Sequence, residues 1–387
     1  MKPQQRPDPL REPLSPLPTP NTPAVDQPLA SIDALRGLAC LAVFLYHLEV
    51  LTGFHTPFLG NHGNVLGVQL FFVLSGYLIH LSASKAKLSE YAMARLLRIY
   101  PAYWVALLGA GLLQPEWRAS LIEQPLLLLV NLANLQLHYL PALMRLDSIH
   151  VSWTLTSEVL WYGMAPFVAV GLRRGYWPIL PLLVTAGLVW GSAAGTGQLD
   201  WLMFGIEKVL QTDPSRSIAW YRPSFLQLNV IGQLPFFITG VAIAHYRPAL
   251  QRLPMWLLLP LAGSLGTIAV WTRITPWAVL AVAIGLGALL LLALRQPLPV
   301  PRPLVWLGKV SFSTYLYHVP IISLVFHYWS LKGLTALTLI LTMVLCASAL
   351  SYHLVETPAM RFAKRWRQAR SASRANASPS GTGRGSV

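Results

Sequence analysis

The first apolar stretch of the chain indicates the class of protein. Residues 36–47 read Arg36-Gly37-Leu38-Ala39-Cys40-Leu41-Ala42-Val43-Phe44-Leu45-Tyr46-His47, and apolar residues continue to about position 52. The hydrocarbon core of a bilayer is about 30 Å thick, and a helix of about 20 residues spans it. The stretch therefore predicts a transmembrane helix that carries an arginine and a histidine into the membrane.

The composition extends this prediction to the whole chain. Of the 387 residues, 54% are hydrophobic and 11% are charged, whereas soluble globular chains carry about 25% charged residues. Further apolar stretches lie at about 65–82, 100–113, 125–139, 153–171, 178–195, 226–245, 254–271, 276–294, 304–328 and 333–354. The sequence therefore predicts an all-α polytopic membrane protein.

Charge and cysteine content argue against other classes of protein. The net charge of +15 falls mostly in loops and tails beside apolar runs, which favours a membrane topology signal over nucleic-acid binding. Cys40 and Cys346 both lie inside apolar runs, so they support neither a disulfide framework nor a thiolate metal site. We expect a lipid bilayer around the protein, no nucleic-acid partner and no metal site.

The distribution of Lys and Arg predicts the topology. The stretches 100–113 and 125–139 are short for a span, and Asn131 and Asn134 interrupt the second. If 125–139 lies in or on the outer face without spanning, the cytoplasmic segments hold most of the basic residues, as the positive-inside rule requires. This arrangement has about ten transmembrane helices, with both termini in the cytoplasm.

The same pattern divides the chain into three parts. Residues 1–30 are rich in proline and nearly free of large apolar residues, so we expect a disordered cytoplasmic tail and no signal peptide. Residues 31–361 form the predicted transmembrane domain. Residues 362–387 are expected to form a basic, disordered cytoplasmic tail.

Polar groups inside predicted spans are candidates for function, because a charge there costs at least about 2.5–3.5 kcal/mol. Arg36 and His47 are eleven residues apart, which at 100° per residue places both on one helix face. Their separation along the axis is about 16 Å. For either residue alone, a snorkelling arginine or a hydrogen-bonded packing histidine is an alternative of about equal weight.

Two further polar motifs lie at or near the second span. Ser75 and Gly76 permit close backbone approach, either for helix packing or for a narrow ligand channel. Arg95 and Arg98 lie in the segment that follows, which we expect to be a loop containing a helical turn. Because they are three residues apart, they predict either a phosphate clamp or a positive-inside anchor.

The later spans add four more candidates. Glu158 follows Trp153 about one turn into the fifth stretch, where surface solvation does not explain a carboxylate. His318 ends a stretch rich in serine and tyrosine. Glu356 is predicted at the cytoplasmic boundary of the membrane, at the same depth as Arg36. It could therefore pair with Arg36, or alternatively face water at a helix end.

In order and spacing, these motifs resemble the acyltransferase-3 family of integral membrane acyltransferases. The matching residues are Arg36, His47, Phe71 to Tyr77, Arg95, Arg98, Trp153, Leu155, Glu158, Val355, Glu356, Pro358 and Arg361. The departures are mild, since Thr154, Ala94 and Phe312 stand where the family often has Ser, Arg and Tyr. The resemblance covers about residues 31–361. Some members carry a fused esterase-like domain, and because no segment of domain size follows the last predicted helix here, we expect a stand-alone enzyme.

The resemblance implies a function and roles for the candidate residues. The enzyme would move an acyl group, expected to be acetyl, from cytoplasmic acyl-CoA to a hydroxyl of a glycan or glycolipid outside a bacterial inner (plasma) membrane. Acyl-CoA would be the donor co-substrate, with no permanently bound cofactor. His47 would act as the base or carry an acyl intermediate, Glu158 would orient His47 or the acceptor, and Glu356 would hold Arg36.

The remaining candidates are expected to bind substrate. Arg95 and Arg98 would hold the nucleotide end of the donor, while its pantetheine arm passes Ser75 and Gly76. Trp153 and His318 complete this group. The outer regions 114–152 and 196–225 are expected to select the acceptor, with Asp200, Trp201, Asp213, Trp220 and Tyr221 as sugar-binding candidates.

A different class of function uses the same groups. A proton-coupled secondary transporter or a flippase also places His and Glu inside the membrane. Such a protein needs no nucleotide-sized basic pocket at one end, so this feature distinguishes the two classes.

Overall fold

The computed structural model describes residues 27–212, 215, 217–264, 275–295, 300–328 and 333–377. These residues form an all-helical protein, and no strand occurs among them. The long helices are α1 (Gln27–Thr52), α2 (Leu59–Ala83), α3 (Leu88–Leu113), α7 (Trp153–Arg173), α8 (Ile179–Gly195), α11 (Leu234–His245), α14 (Pro276–Arg295), α15 (Arg302–Tyr328), α16 (Gly333–Ser351) and α17 (Thr357–Ala377).

Short helices fill the connections between the long ones. They are α4 (Pro115–Glu123), α5 (Leu126–Leu132), α6 (Leu140–Leu146), α9 (Ile206–Thr212), α10 (Ile218–Arg222), α12 (Arg247–Leu250) and α13 (Met255–Gly263). Single 3₁₀ turns cover Gln136–His138 and Asp200–Leu202, and π-helical turns cover Pro223–Gln227 and Tyr352–Glu356.

Six helical segments in the described part of the chain are long and apolar enough to cross a bilayer. They are Ala30–Thr52, Leu59–Ala83, Leu88–Leu113, Trp153–Arg173, Pro276–Arg295 and Gly333–Arg370, and Ile179–Gly195 and Leu234–His245 are shorter apolar helices. The prediction of an all-α, multi-pass membrane protein is confirmed. The number of ten spans and the cytoplasmic placement of the termini remain predictions.

Helix α1 lies between α2 and α15 at the centre of the molecule. Glycines allow the close approach on both sides, since Gly63 of α2 contacts the carbonyl of Ala42 and Gly308 of α15 contacts the carbonyl of Asp33. A side chain at either glycine would meet this backbone. Helix α2 in turn packs on α11, so α11 supports α2 from the side opposite α1.

Two segments differ from the sequence-based expectations and one agrees with them. Arg95 and Arg98 lie within α3, a helix of 26 residues that continues through Pro101, and not in a loop. The stretch 125–139 does not form one spanning helix, as expected, because it is divided by a turn at Asn134, whose φ is 57°. Helix α17 extends to Ala377, into the segment expected to be disordered.

Candidate active site

A cavity of about 90 Å³, here called the arginine cavity, lies among α1, α2, α3, α7 and α15. Its polar lining residues are Arg36, Ser75, Arg95, Arg98, Thr154, Glu158, Tyr162, Ser311 and Tyr315. Among these described lining residues, three are cations and one is a carboxylate. The cavity therefore has an excess of positive charge and suits an anionic ligand.

Arg36 reaches this cavity from α1 and contacts α15. Its Nε and Nη2 donate hydrogen bonds to Ser311 Oγ at 3.3 and 3.2 Å. The expected partner, Glu356, lies elsewhere: it accepts a hydrogen bond from Arg98 Nη1 at 2.6 Å and another from Ser313 Oγ. The prediction of an Arg36–Glu356 pair is wrong, because the π-helical turn that carries Glu356 packs against α3, so that its carboxylate meets the arginine of that helix.

Arg95 is the cation with the fewest polar contacts in the cavity. Its guanidinium carbon lies 5.7 Å from the ring centre of Tyr91 and 5.8 Å from that of Tyr162. Its Nε is buried and has no hydrogen-bond partner among the described residues. Because no carboxylate pairs with it in the described part of the chain, the guanidinium can bind an anionic group.

Glu158 belongs to the arginine cavity and not to the surroundings of His47. Its Oε1 accepts hydrogen bonds from Ser75 Oγ at 2.9 Å and from Tyr162 OH at 2.7 Å. His47 does not line this cavity. The expectation that Glu158 orients His47 is therefore not met.

The position of Glu158 follows from the segment before α7. Asn131, Asn134, Gln136 and Ser152 are fully buried, and Gln136 Nε2 donates to Asn134 Oδ1 and Ser152 Oγ. Burial also raises the pKa of the nearby Asp147 carboxyl. This polar segment lies inside the protein, so α7 begins within the helix bundle and its first turns reach the cavity.

The remaining candidates in the second and fifth apolar stretches either line the cavity or pack against other helices. Ser75 lines the cavity, whereas Gly76 contacts the backbone carbonyl of Phe237 in α11, so Gly76 serves helix packing. Trp153 is half-buried and packs between two apolar clusters, and it does not line the cavity. Its neighbour Thr154 does, and donates a hydrogen bond to Tyr315 OH at 2.7 Å.

His47 lies next to His318 on the face that α1 presents to α15. His318 Nε2 is 3.2 Å from His47 Nδ1, and the two ring centres are 5.0 Å apart. Ser311, the partner of Arg36, is two helical turns from His318 on the same helix. Arg36 and His47 therefore project from one face of α1, as the sequence predicted.

The hydrogen-bond partners assign the tautomer of both rings when they are neutral. His318 Nδ1 is 2.8 Å from the carbonyl of Tyr315 and 3.2 Å from that of Thr314, so Nδ1 carries the hydrogen and Nε2 accepts. His47 Nδ1 is 3.0 Å from the carbonyl of Val43, so it also carries a hydrogen, which it shares with His318. The lone pair of His47 is therefore on Nε2, where it can accept a proton.

Two tyrosines of the site were not assigned roles from the sequence. Tyr315 lies between the arginine cavity and His318, with its ring centre 5.6 Å from that of His318. Tyr162 donates to Glu158, four residues before it. A spacing of four residues on a helix places both groups on one face, so this signal was available in the sequence.

The sugar-binding candidates in the outer region 196–225 are only partly available to a sugar. Asp200 forms a two-point ion pair with Arg222 at 2.7 and 2.8 Å, and this pair raises the pKa of the Arg222 guanidinium. Tyr221 is fully buried, while Trp201 and Trp220 are exposed. Asp213 lies outside the described residues.

Comparison with known proteins gives the relatives of this chain. OatA of Listeria monocytogenes, named a peptidoglycan O-acetyltransferase, is 26% identical over 332 residues, which cover 76% of this chain and 49% of the relative. The O-acetyltransferase OatA of Staphylococcus aureus is 25% identical over 365 residues, or 85% and 57% of the two chains. YrhL of Bacillus subtilis, a putative peptidoglycan O-acetyltransferase by name, is 27% identical over 377 residues, or 85% and 54%.

The chain thus spans about half the length of these curated relatives. No solved structure matches it. Residues 29–353 match the family described as acyltransferase domain, acyltransferase-3, and this match covers most of the transmembrane helices, the arginine cavity and the histidine pair. The chain belongs to the acyltransferase-3 family of membrane acyltransferases, as its motifs predicted.

Proposed function

We propose that the protein is a membrane O-acyltransferase of the type that transfers groups other than aminoacyl groups. It moves an acyl group, acetyl in the simplest case, from cytoplasmic acyl-CoA to a hydroxyl of a glycan or glycolipid outside a bacterial inner membrane. One observation carries the proposal: the arginine cavity and the histidine pair lie along the same two helices, α1 and α15. The names of the Listeria monocytogenes and Bacillus subtilis relatives, which both mention peptidoglycan, favour a cell-wall glycan as the acceptor.

The arginine cavity is the proposed site for the donor. Acyl-CoA carries several phosphate charges, and guanidinium groups bind phosphates through charge-assisted hydrogen bonds. Arg95 has no carboxylate partner in the described part of the chain, and the side-chain hydrogen bonds of Arg36 to described residues go to the hydroxyl of Ser311. These two cations are therefore available to a phosphate, while Arg98 is held by Glu356.

The reactive end of the donor would lie near the histidines. An extended arm that runs along α1 from Arg36 covers the roughly 16 Å to the level of His47. The nucleotide end stays at the arginine cavity, because its charges cannot enter hydrocarbon. This arrangement places the thioester between the donor site and an acceptor that arrives from the other face.

His47 is the proposed general base. Its Nε2 takes the proton of the acceptor hydroxyl as the oxygen attacks the thioester carbonyl, a step that imidazole performs well near neutral pH. A new C–O bond forms and the C–S bond breaks. The electron pair leaves with the sulfur as a thiolate, which receives the proton from the imidazolium.

Inverted membrane vesicles from a strain that expresses the protein test this proposal. They expose the cytoplasmic face, and radiolabelled acetyl-CoA is supplied outside them. We expect label in the glycan or glycolipid fraction, and a rate about 100- to 10,000-fold lower with His47→Ala. His55→Ala is the matched control, because this histidine has an exposed side chain in the linker just after α1.

Two results would contradict the proposal. Vesicles with the wild-type protein that transfer no label to any acceptor would exclude acyl transfer from acetyl-CoA. Equal rates for His47→Ala and His55→Ala, at equal protein abundance, would remove His47 from the reaction. Uptake of a labelled solute without acylation would instead support a transporter.

A further inference from the structure

A second cavity, of about 370 Å³, lies on the other side of α2 from α1. Asn61, Val65 and Gln69 line it and are four residues apart, so they share one face of α2. Gly63 and Gly67 contact α1 from the opposite face. The cavity is therefore separated from the histidine pair by α2 and by α1, because His47 lies on the face of α1 that is turned toward α15.

The rim of this cavity is at the end of the molecule where α1 ends and α2 begins. Asn61 and His62 near the start of α2, and Thr275 just before α14, line it there. The histidine pair is also nearer to this end than the arginine cavity, because His47 precedes the end of α1 by only five residues. A ligand in this cavity would thus enter from the face that the proposed function assigns to the acceptor.

The lining is polar but uncharged. Its polar side chains are Asn61, His62, Gln69, Gln227, Gln233 and Thr275, and no Asp, Glu, Lys or Arg lines it among the described residues. Apolar walls come from Phe236, Val279 and Val282. Without a lysine or an arginine among the described lining residues, this combination fits a neutral ligand with both polar and apolar faces better than a phosphate or a carboxylate.

Two buried amide oxygens lack a donor. Gln69 is 8% exposed and Gln227 is 9% exposed. Gln69 Nε2 donates to Gln233 Oε1 at 3.4 Å, and Gln233 Nε2 donates to the backbone carbonyl of Gln227 at 3.0 Å. Oε1 of Gln69 and Oε1 of Gln227 have no hydrogen-bond partner among the described residues.

Buried polar atoms in proteins nearly always have a partner, so two unpaired acceptors on side chains that line one cavity indicate a missing donor. A hydroxyl or an amide N–H supplies such a donor without adding charge. A sugar ring has several hydroxyls around its edge and apolar C–H groups on its faces, which fit the amides and the walls respectively. The cavity volume is at the lower end of the usual range for ligand pockets, about 300–1,000 Å³.

We propose that this amide-lined cavity binds one uncharged sugar ring of the acceptor, separately from the ring whose hydroxyl is acylated at His47. The proposal rests on the proposed function in taking a glycan or glycolipid as the acceptor. The same chemistry serves a ring of a glycan strand and the headgroup of a glycolipid, so both sources need a test.

Gly191 offers a way to fill the cavity without touching its hydrogen-bonding groups. It lines the cavity from α8, and a Cβ there would meet no atom within 4 Å. Gly191→Phe therefore places a ring in the cavity. Gly163→Phe is the matched control, because Gly163 of α7 is also open on its Cβ side and does not line the cavity.

The experiment measures binding to the full-length protein in phosphatidylcholine nanodiscs, without any acyl donor. One arm uses the soluble tetramer of β-1,4-linked N-acetylglucosamine, and the other uses monoglucosyl diacylglycerol added to the nanodisc. We expect at least one probe to bind the wild-type protein. Gly191→Phe should raise its Kd at least tenfold, and Gly163→Phe should leave it unchanged.

Gln69→Leu gives an independent check. The substitution removes the unpaired Oε1 acceptor and also the 3.4 Å hydrogen bond from Nε2 to Gln233 Oε1. If the cavity binds no sugar, only the stability changes and Kd for the probe does not. We expect instead that Kd for the bound probe rises at least tenfold.

The proposal is overturned if neither probe binds, or if the bound probe has the same Kd with Gly191→Phe as with Gly163→Phe. These outcomes are separate from a failure of the proposed function, because no step of the experiment requires acyl transfer. A protein that binds sugar here but never transfers an acyl group would contradict only the proposed function.

Discussion

At the scale of single residues, His318 is defined by the backbone that surrounds it. Two carbonyls of its own helix hold its Nδ1–H, so only Nε2 faces His47. This arrangement fixes one tautomer of His47 and leaves its Nε2 free. Under the proposed function, His318 would position His47, whereas the sequence placed His318 among the substrate-binding residues.

We expect His318→Leu to lower kcat about 5- to 150-fold while leaving both KM values close to wild type. The reason is that loss of one buried hydrogen-bond partner costs about 1–3 kcal/mol, and this cost is felt by His47 in the transition state. His318→Asn should recover part of the loss, because its amide can donate to a carbonyl and accept from His47. The positioning role would be contradicted if both variants changed only the protein abundance, or if kcat of His318→Asn were no higher than kcat of His318→Leu.

Arg95 gives a second test at this scale. Because it has no carboxylate partner in the described part of the chain, Arg95→Gln should weaken binding of acetyl-CoA about 10- to 150-fold with little change in melting temperature. Titration calorimetry in detergent measures this affinity. Arg174→Gln is the control, since Arg174 is exposed and does not line the cavity; equal affinities for the two variants would show that Arg95 does not bind the donor.

At the scale of helices, the periodicity of the sequence predicted side-chain positions better than the predicted depth of a residue in the membrane did. The spacing of Arg36 and His47 correctly placed both on one face of α1, because an angle of 100° per residue holds for any helix. The depth of Glu356 was also derived from the sequence, but depth alone does not say which neighbouring helix a side chain meets. Its partner, Arg98, follows from how the π-helical turn packs on α3, and no local pattern encodes that contact.

The start of α7 also depends on contacts that the local sequence does not predict. The sequence indicated that Asn131 and Asn134 interrupt 125–139, and the chain does turn there. It did not indicate that these amides are buried inside the protein, since asparagine is usually exposed. Their burial, with Gln136 and Ser152, is what brings Glu158 to the arginine cavity.

The contact between α3 and the π-helical turn makes a prediction about stability. Arg98→Ala leaves the carboxylate of Glu356, which is 0% exposed, without its cation. Breaking a buried pair in this way costs about 3–5 kcal/mol. We expect a marked fall in the melting temperature in detergent, measured by scanning fluorimetry.

Adding Glu356→Gln to Arg98→Ala should restore most of the melting temperature, because the neutral amide needs no cation and can still accept from Ser313. The double variant would still bind acetyl-CoA more weakly if Arg98 contributes to the donor site. Equal melting temperatures for the single and double variants would show that the pair contributes nothing to stability.

At the scale of the whole molecule, the two cavities lie toward opposite ends of the helix bundle. The arginine cavity is reached from the later part of α2 and the early part of α3, through Ser75 and Arg95. The amide-lined cavity is reached from the start of α2 and the start of α14. A donor and an acceptor that bind there would approach the histidine pair from different faces of the membrane.

This arrangement makes the orientation of the chain decisive. If both termini are cytoplasmic, the linker between α2 and α3 and the linker between α7 and α8 face the cytoplasm, where acyl-CoA is found. The linker between α1 and α2 then faces outward. Lys85 and Lys87 lie in the linker between α2 and α3, and Arg174 lies in the linker between α7 and α8. This distribution agrees with the positive-inside rule.

We expect single cysteines to report this orientation in spheroplasts treated with a membrane-impermeant maleimide. The background is Cys346→Ser, because Cys346 is exposed on the protein surface while Cys40 is buried. His55→Cys should be labelled in intact spheroplasts, since its side chain is 70% exposed in the outer linker. Lys85→Cys and Arg174→Cys, both at exposed positions, should be labelled only after permeabilisation. The reverse pattern would place the arginine cavity toward the outside and would exclude cytoplasmic acyl-CoA as its ligand.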